Sequence, residues 1–366
     1  MNIGKDPVYY ADYLKLDTLL DSQHPKSRAI KTECHDETLF IIVHQIYELW
    51  FKQILHEFKS ISSIFNKNII EEKELGLVGA RLERVIKIQN VLFDQLAIME
   101  TMTPMDFLEF RDLLIPASGF QSVQFRELEI LLGLKTNRRF AVDREYFMGR
   151  LSRADRERIE IAEQNPSLIE LLQNWLERIP FMQNEKFNFW QEYQNSVDEI
   201  LATDESIIAN HQFISGTEKN NQMENFHLTK ETFASLFDEK KHNELIQQGS
   251  RRLSQKATLG ALFILLYRDE PILHQPFKII NYLMDIDEHM TAWRHRHAIM
   301  AQRMLGTKIG TGGSSGHHYL KVAAEKNRVF NDLFNLSTFL IPRSKLPILP
   351  PHIKKSLDFH FSELNE

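Results

Sequence analysis

The sequence predicts an all-α protein, folded as a helical bundle domain with a helical insertion in its middle. Three observations support this prediction. Apolar residues recur with helical spacing through most of the 366-residue chain. Alternating strand patterns bounded by turn residues are nearly missing. No linker divides the chain cleanly, so we expect a single domain over 1–366.

Eight segments are predicted as helices, many of them with a charged face opposite an apolar one. In chain order they cover 35–61, 75–102, 122–134, 166–178, 185–202, 229–237, 257–267 and 276–305. The stretch 216–224 is almost wholly polar and predicts a loop. The tail around prolines 342, 347, 350 and 351 predicts an extended, irregular segment, since consecutive prolines cannot continue a helix.

Composition narrows the classes of function. Lys and Arg total 44 against 50 Asp and Glu, for a formal net charge of −6, so we expect no nucleic-acid or membrane partner. The longest apolar stretch, 257–267, is too short to span a bilayer, and residues 1–12 lack the apolar region of a secretory signal. Cys34 is the sole cysteine, which excludes an intrachain disulfide or a multi-cysteine metal site and fits a cytoplasmic protein.

The first long predicted helix carries a histidine in its apolar stripe. The stripe has the spacing of one helix face and consists of Phe40, His44, Tyr47, Phe51, Ile54 and Phe58. Taken alone, His44 is more often a core histidine bonded to a backbone carbonyl or a nearby tyrosine than a ligand or a catalytic group.

The helix predicted at 276–305 separates its histidines by phase. His297 shares a face with Met290, Trp293, Met300 and Met304, whereas His295 lies on a polar side. Soft and aromatic neighbours suit a flat apolar cofactor, although an ordinary methionine-rich core explains this helix equally well. Two inward histidines on separate buried helices, with no cysteine or carboxylate beside them, could supply one proximal haem ligand and one distal group.

Two further elements offer groups for an anion. Residues 306–316 hold five of the 14 glycines and match neither a P-loop nor a dinucleotide fingerprint. Their backbone amides and the Thr311 hydroxyl can cradle a small anion, the alternative being a flexible connector. Arg111 stands among phenylalanines and leucines, so it is either paired with a carboxylate such as Asp112 or available to one from a ligand.

Long segments of the chain resemble the haem-dependent tryptophan 2,3-dioxygenases. They are YYADYLKLDTLL (9–20), HDETLFIIVHQIYELWFKQILHE (35–57), TPMDFLEFRDLLIPASGFQSVQFRELE (103–129) and WRHRHAIMAQRMLGTKIGTGGSSG (293–316). Segments 268–290 and 330–343 resemble the longer, animal-type members. The resemblance covers most of the chain in order and is weakest over about 135–255, which we take as the helical insertion.

The resemblance implies a role for each matching residue. His297 matches the proximal histidine of the haem iron, and Trp293 in the same motif is expected to bind the cofactor. His44 matches the distal histidine that faces the indole N–H. Arg111 matches the arginine that pairs with the substrate carboxylate, and Thr311 a threonine that contacts the ammonium and carboxylate. Phe40, Phe107, Ser118 and Gly119 match residues packed around the indole and haem. Tyr10, Tyr13 and Leu14 match residues of an N-terminal segment, here 1–20, that enters the neighbouring subunit's site.

The same resemblance implies an activity and an assembly. Its members bind one haem b per subunit and use L-tryptophan and O2, inserting both oxygen atoms at the indole C2–C3 bond to give N-formylkynurenine. This reaction is the first step of tryptophan catabolism by the kynurenine pathway. A cytoplasmic homotetramer, built as a dimer of dimers, is implied as well. The alternatives are a related haem-dependent indole monooxygenase of secondary metabolism and a non-catalytic haem sensor.

Overall fold

The structure, a computed structural model, describes residues 7–134, 144–180, 183–184, 187–211, 215–306, 308 and 327–358. These residues are predominantly helical. A pair of two-residue antiparallel strands, β1 (Gln183–Asn184) and β2 (Phe187–Asn188), is the exception within the described ranges. The all-α prediction is confirmed. No helix in this part of the chain is long and apolar enough to cross a membrane.

The helices follow one another with short connections. Those of the first half are α1 (Tyr10–Leu14), α2 (Leu16–Leu20), α3 (Lys26–Ala29), α4 (His35–Phe65), α5 (Glu72–Met99), α6 (Pro104–Arg111), α7 (Val123–Leu132), α8 (Arg144–Met148), α9 (Arg153–Gln164) and α10 (Leu168–Leu176). Those of the second half are α11 (Phe189–Asn210), α12 (Gly216–Phe237), α13 (Glu239–Gln247), α14 (Gln255–Leu266), α15 (His274–Leu305), α16 (Asn331–Asn335) and α17 (Pro351–Leu357). Short 3-10 turns lie at Asp112–Leu114, Gly119–Gln121, Pro271–Leu273, Leu336–Phe339 and Arg343–Lys345.

Three long helices form the centre of the fold. α5 packs along α15 on one side and against α4 on another. The side chains between them are wholly buried, among them Phe58 of α4, Leu82 of α5 and Leu283 of α15. Burial of apolar surface on this scale is the main favourable contribution to folding. The same layer carries both of the predicted site histidines, one on α4 and one on α15.

A second group of helices extends this core. α14 is apolar on every face and is buried accordingly, as expected of a helix without a polar side. A Cβ at Gly260 would collide with the carbonyl oxygen of Leu176, so glycine permits the close approach of α14 and α10. Trp175, Phe189 and Phe233 belong to the same buried cluster as α4, α5 and α15. The single domain over 1–366, with a helical insertion at about 135–255, stays a prediction.

Two expectations about local structure are wrong. Residues 216–224 begin α12 instead of forming a loop, because the Ser215 hydroxyl accepts a hydrogen bond from the Glu218 amide at 3.2 Å and caps the helix. The first turns of α12 are solvated, and its anchoring side chains, such as Phe226 and Phe233, come later. The tail also returns to helix at Pro351, a proline tolerated at the first helical position because that amide needs no partner.

Candidate functional site

α4 presents Phe40 and His44 one turn apart. Their ring centroids are 4.1 Å apart, and His44 Nδ1 lies 2.7 Å from the Phe40 carbonyl oxygen. A carbonyl oxygen only accepts, so Nδ1 carries the proton and Nε2 of the neutral ring is an acceptor. The surrounding protein lowers the pKa of His44 by desolvation, which keeps the ring neutral at pH 7.

His44 meets part of the core-histidine expectation, since it bonds to a backbone carbonyl. Its side chain is nevertheless exposed, unlike that of a residue enclosed in the core. His44 is therefore not enclosed in the core, and its contact with a substrate stays a prediction.

α6 brings two phenylalanines against Phe40. The helix begins after a capping box, in which Thr103 Oγ1 accepts from the Asp106 amide at 3.3 Å and the Asp106 carboxylate accepts from the Thr103 amide at 3.0 Å. Phe107 stacks on Phe40 with centroids 5.7 Å apart, and Phe110 meets both rings edge-on at 5.7 and 5.5 Å. The structure thus brings Phe40 and Phe107 together, as the resemblance implies.

Arg111 is the last residue of α6, and its side chain is 14% exposed. Its Nη1 lies 3.7 Å from a carboxylate oxygen of Asp112, which is beyond hydrogen-bonding distance. The Asp112 side chain is 82% exposed, so water screens this contact. The contact with Asp112 is therefore weak, and recognition of a ligand carboxylate by Arg111 stays a prediction.

Ser118 and Gly119 lie in the turn between α6 and α7. The Ser118 hydroxyl accepts from the Phe120 amide at 3.4 Å, and the Ser118 amide donates to the Gln121 side chain at 3.2 Å. These bonds fix the backbone around Gly119. A Cβ built on Gly119 would meet no described atom within 4 Å, so the glycine borders open space that a ligand could occupy.

α15 supplies Trp293 and His297 on one face. Their rings are stacked, with centroids 5.3 Å apart and planes 15° apart. His295 is exposed and His297 is half-buried, which agrees with the predicted phasing. Burial, with a smaller contribution from the charge of His44, lowers the pKa of His297 to about 4. The two imidazoles are therefore close enough for the charge of one to affect the other, and both are neutral at pH 7.

The N-terminal residues of the predicted site are not brought to it within their own chain. Tyr10 and Tyr13 are each 75% exposed and Leu14 is 41% exposed, and α1 buries no residue. α1 and α2 form an N-terminal arm. Where this arm joins the rest of the chain, the Gln23 side chain donates to the Gln45 side chain of α4 at 2.7 Å. Thr311 and the rest of its loop after Lys308 lie outside the described residues.

Sequence reasoning missed residues of α7 that pack against α15 next to the site. Phe125 of α7 packs on Trp293, with ring centroids 5.5 Å apart. Arg294 of α15, next to Trp293, bonds to Glu129 of α7 at 2.9 Å, and both side chains are buried. Both α7 residues lie inside the 103–129 motif, which was the available signal. Only the fold reveals that α7 packs behind α15 at this point.

Comparison with known proteins identifies the family. The sequence profile of the tryptophan 2,3-dioxygenase family matches residues 2–340. The chain belongs to this family. A tryptophan 2,3-dioxygenase from Alteromonas mediterranea is 50% identical over 355 residues, which are 97% of this chain and 98% of the relative.

Other tryptophan 2,3-dioxygenases match over similar lengths. The protein from Bdellovibrio bacteriovorus is 50% identical over 356 residues, which are 97% of this chain and 99% of the relative. The protein from Dictyostelium discoideum is 46% identical over 358 residues, which are 98% of this chain and 90% of the relative. The motif-based resemblance to tryptophan 2,3-dioxygenases is confirmed.

Proposed function

We propose that this protein is a haem-dependent tryptophan 2,3-dioxygenase. L-Tryptophan and O2 combine, the indole C2–C3 bond opens, and both oxygen atoms enter the product, N-formylkynurenine. The observation that carries this proposal is the placement of His44 beside the stacked Phe40 and Phe107 rings and of His297 against Trp293, in a chain of this family. The reaction is the first step of tryptophan catabolism by the kynurenine pathway, in the cytoplasm.

His297 is the residue that would hold the iron of haem b, one per subunit. The donor chemistry fits, because a ring with a pKa of about 4 keeps a free lone pair at neutral pH, and an imidazole nitrogen is the usual proximal ligand. The stacked Trp293 ring gives His297 the aromatic neighbour expected beside a flat apolar cofactor. When bound, haem supplies the O2 chemistry that amino-acid side chains lack.

His44 and the aromatic cluster would hold the indole. With its Nδ1–H committed to the Phe40 carbonyl, His44 has Nε2 available to accept a hydrogen bond from the indole N–H. The ring faces of Phe40 and Phe107 offer apolar contact to the indole. The family resemblance adds Ser118 and Gly119 beside it. These contacts would fix the edge and the plane of the indole before the reaction begins.

Arg111 and Thr311 would hold the amino-acid head group. A guanidinium matches a carboxylate with two parallel hydrogen bonds, which adds direction to the attraction between charges. The low exposure of Arg111 strengthens such a pair by limiting competition from water. The Thr311 hydroxyl and its glycine-rich neighbours would contact the ammonium and carboxylate. Charge recognition at this end selects an amino acid over a simple indole.

The N-terminal arm would complete the site of a second subunit. Tyr10, Tyr13 and Leu14 form an exposed aromatic and apolar surface, and such surfaces on soluble proteins mark interaction sites. We infer a homotetramer, a dimer of dimers in which arms are exchanged. Each active site would then contain residues of two chains.

The test is turnover by the full-length protein after haem loading and reduction, with L-tryptophan and ¹⁸O2. We expect N-formylkynurenine that carries two ¹⁸O atoms, with one O2 consumed per product. A product with a single ¹⁸O would show a monooxygenase instead. Haem binding without any tryptophan-dependent O2 consumption would indicate a sensor, and a wild-type protein that takes up no haem would overturn the proposal.

A further inference from the structure

A buried tyrosine connects α4 to the tryptophan beside His297. Tyr47 is 8% exposed, and its hydroxyl donates to the Leu92 carbonyl oxygen of α5 at 2.7 Å. Trp293 Nε1 donates to the Tyr47 oxygen at 3.4 Å, a long hydrogen bond. Both directions are fixed by chemistry, because a carbonyl oxygen only accepts and an indole N–H only donates. Burial raises the pKa of Tyr47, so the hydroxyl keeps its proton.

The Trp293 ring is held between this hydrogen bond and the imidazole. Phe51 meets it edge-on at 6.5 Å, and Phe125 packs at 5.5 Å. The stacked His297 ring lies 5.3 Å away, with the planes 15° apart. Apolar packing alone does not fix which edge of an indole points where, whereas the bond from Nε1 to Tyr47 does.

The far end of this connection is itself anchored. The carbonyl oxygen of Phe93, next to Leu92, accepts from Arg296 at 3.0 Å. Arg296 also makes a two-bond pair with Glu100 at 3.2 and 2.9 Å. The backbone of α5 that receives the tyrosine hydroxyl is thus tied to α15 directly beside His297. Within the described part of the chain, the His297 nitrogens make no hydrogen bond, so the stacked Trp293 ring restrains its rotation where a hydrogen bond would otherwise do so.

We propose that Tyr47 is a positioning residue that sets the orientation of the His297 imidazole through Trp293. The inference rests on the proposed function, in which His297 ligates the haem iron. Groups behind a metal ligand orient it and tune the metal, most often by a hydrogen bond to the ligand's second nitrogen. Here the Trp293 indole, whose orientation is fixed by Tyr47, orients the His297 ring by stacking on its face.

The protein offers a matched control. Tyr267 is also 8% exposed, and its hydroxyl also donates to a backbone carbonyl oxygen, that of Pro347, at 2.7 Å. Tyr47→Phe and Tyr267→Phe therefore each remove one buried hydroxyl from an equivalent bond. Only Tyr47→Phe also removes the acceptor of Trp293 Nε1. An effect seen in both variants therefore reports a loss of stability, whereas an effect seen only in Tyr47→Phe reports a change at His297.

The measurements are the haem midpoint potential and the ferric electron paramagnetic resonance spectrum of the haem-loaded protein. We expect Tyr47→Phe to shift the potential and broaden the spectrum, while Tyr267→Phe keeps both at wild-type values. Trp293→Phe, which lacks the N–H, should reproduce the shift. The double variant Tyr47→Phe/Trp293→Phe should add nothing to Trp293→Phe, because the two residues act in one chain of contacts.

Three results would overturn the inference. Tyr47→Phe with a wild-type potential and spectrum is one, and equal shifts in Tyr47→Phe and Tyr267→Phe are another. If Tyr47→Phe does not fold, Trp293→Phe decides, and a wild-type signature in that variant is the third. Failure of the proposed function shows separately, as a wild-type protein that binds no haem, and it removes the basis of this inference with it.

Discussion

His295 and His297 lie two residues apart and have opposite environments. His297 is half-buried and stacked on Trp293, whereas His295 is exposed on the outer face of α15. We expect His297→Ala to lose most bound haem and His295→Ala to keep it, because only the first removes an inward imidazole. The haem-to-protein ratio from Soret absorbance measures this. The reverse result would mean that the ligand is on the other face of the helix.

His44 should matter for the substrate and not for the cofactor. Its Nε2 is the acceptor left after Nδ1 donates to Phe40, so His44→Ala should retain haem but lose most turnover of L-tryptophan. A substrate methylated at the indole nitrogen has no N–H to donate and serves as the control. Its binding should respond little to this substitution. Loss of haem from His44→Ala would point to ligation by both histidines.

Arg111 should recognise the carboxylate. Losing a charge-assisted hydrogen bond costs about 1.5–3 kcal/mol, so Arg111→Ala should raise the KM for L-tryptophan roughly 10- to 150-fold. Arg111→Lys keeps the charge but not the planar fork and should fall between. Tryptamine has no carboxylate, so its binding should be poor and insensitive to Arg111→Ala. An equal loss for tryptamine and tryptophan would make Arg111 structural.

Among the helices, strong apolar stripes predict best. α4 and α15 lie within a few residues of their predicted bounds, because apolar residues at helical spacing continue through both. α9 escaped prediction, since Ile159 is its single buried residue. Its capping pair was the available signal, with the Ser152 hydroxyl accepting from the Asp155 amide at 3.1 Å. The contacts between α4, α6 and α15 could not be read from periodicity, which shows a face but not its partner.

The link between α7 and α15 should be a major source of stability. Glu129 bonds to Arg126 at 2.5 Å and to Arg294 at 2.9 Å, and all three side chains are buried. Glu129→Ala leaves two buried arginines without this carboxylate, so the free energy of unfolding should fall by about 3–5 kcal/mol. Urea unfolding followed by circular dichroism gives the value.

An exposed ion pair provides the comparison for Glu129. Glu157 accepts from Arg153 at 3.0 Å on the outer face of α9, where the arginine side chain is 94% exposed. Glu157→Ala should leave the unfolding curve almost unchanged, because water screens the pair and the side chains give up freedom to form it. If Glu129→Ala proved as mild as Glu157→Ala, the buried pair would not hold the two helices together.

For the molecule as a whole, the exposed aromatic and apolar side chains of the N-terminal arm have no explanation within a single chain. Deleting residues 1–18 should impair tryptophan binding while leaving haem in place, because His297 belongs to the body of the subunit and Tyr10, Tyr13 and Leu14 would belong to a neighbour's site. Titration with tryptophan measures the binding, Soret absorbance measures the retained haem, and light scattering measures the oligomeric state. A truncated monomer with full activity would rule out the exchanged arm.

Trp293 follows Tyr47 by 246 positions in the chain, which has a consequence for how the protein is made. A ribosome adding about 5–20 residues per second needs roughly 12–50 s to synthesise the chain between them. α4 ends at Phe65, early in that interval, whereas α15, which faces it across the site, begins only at His274. Loading of the proposed haem would therefore be a late event in the life of the chain, and translation products that stop before His297 would leave the ribosome without the proposed iron ligand.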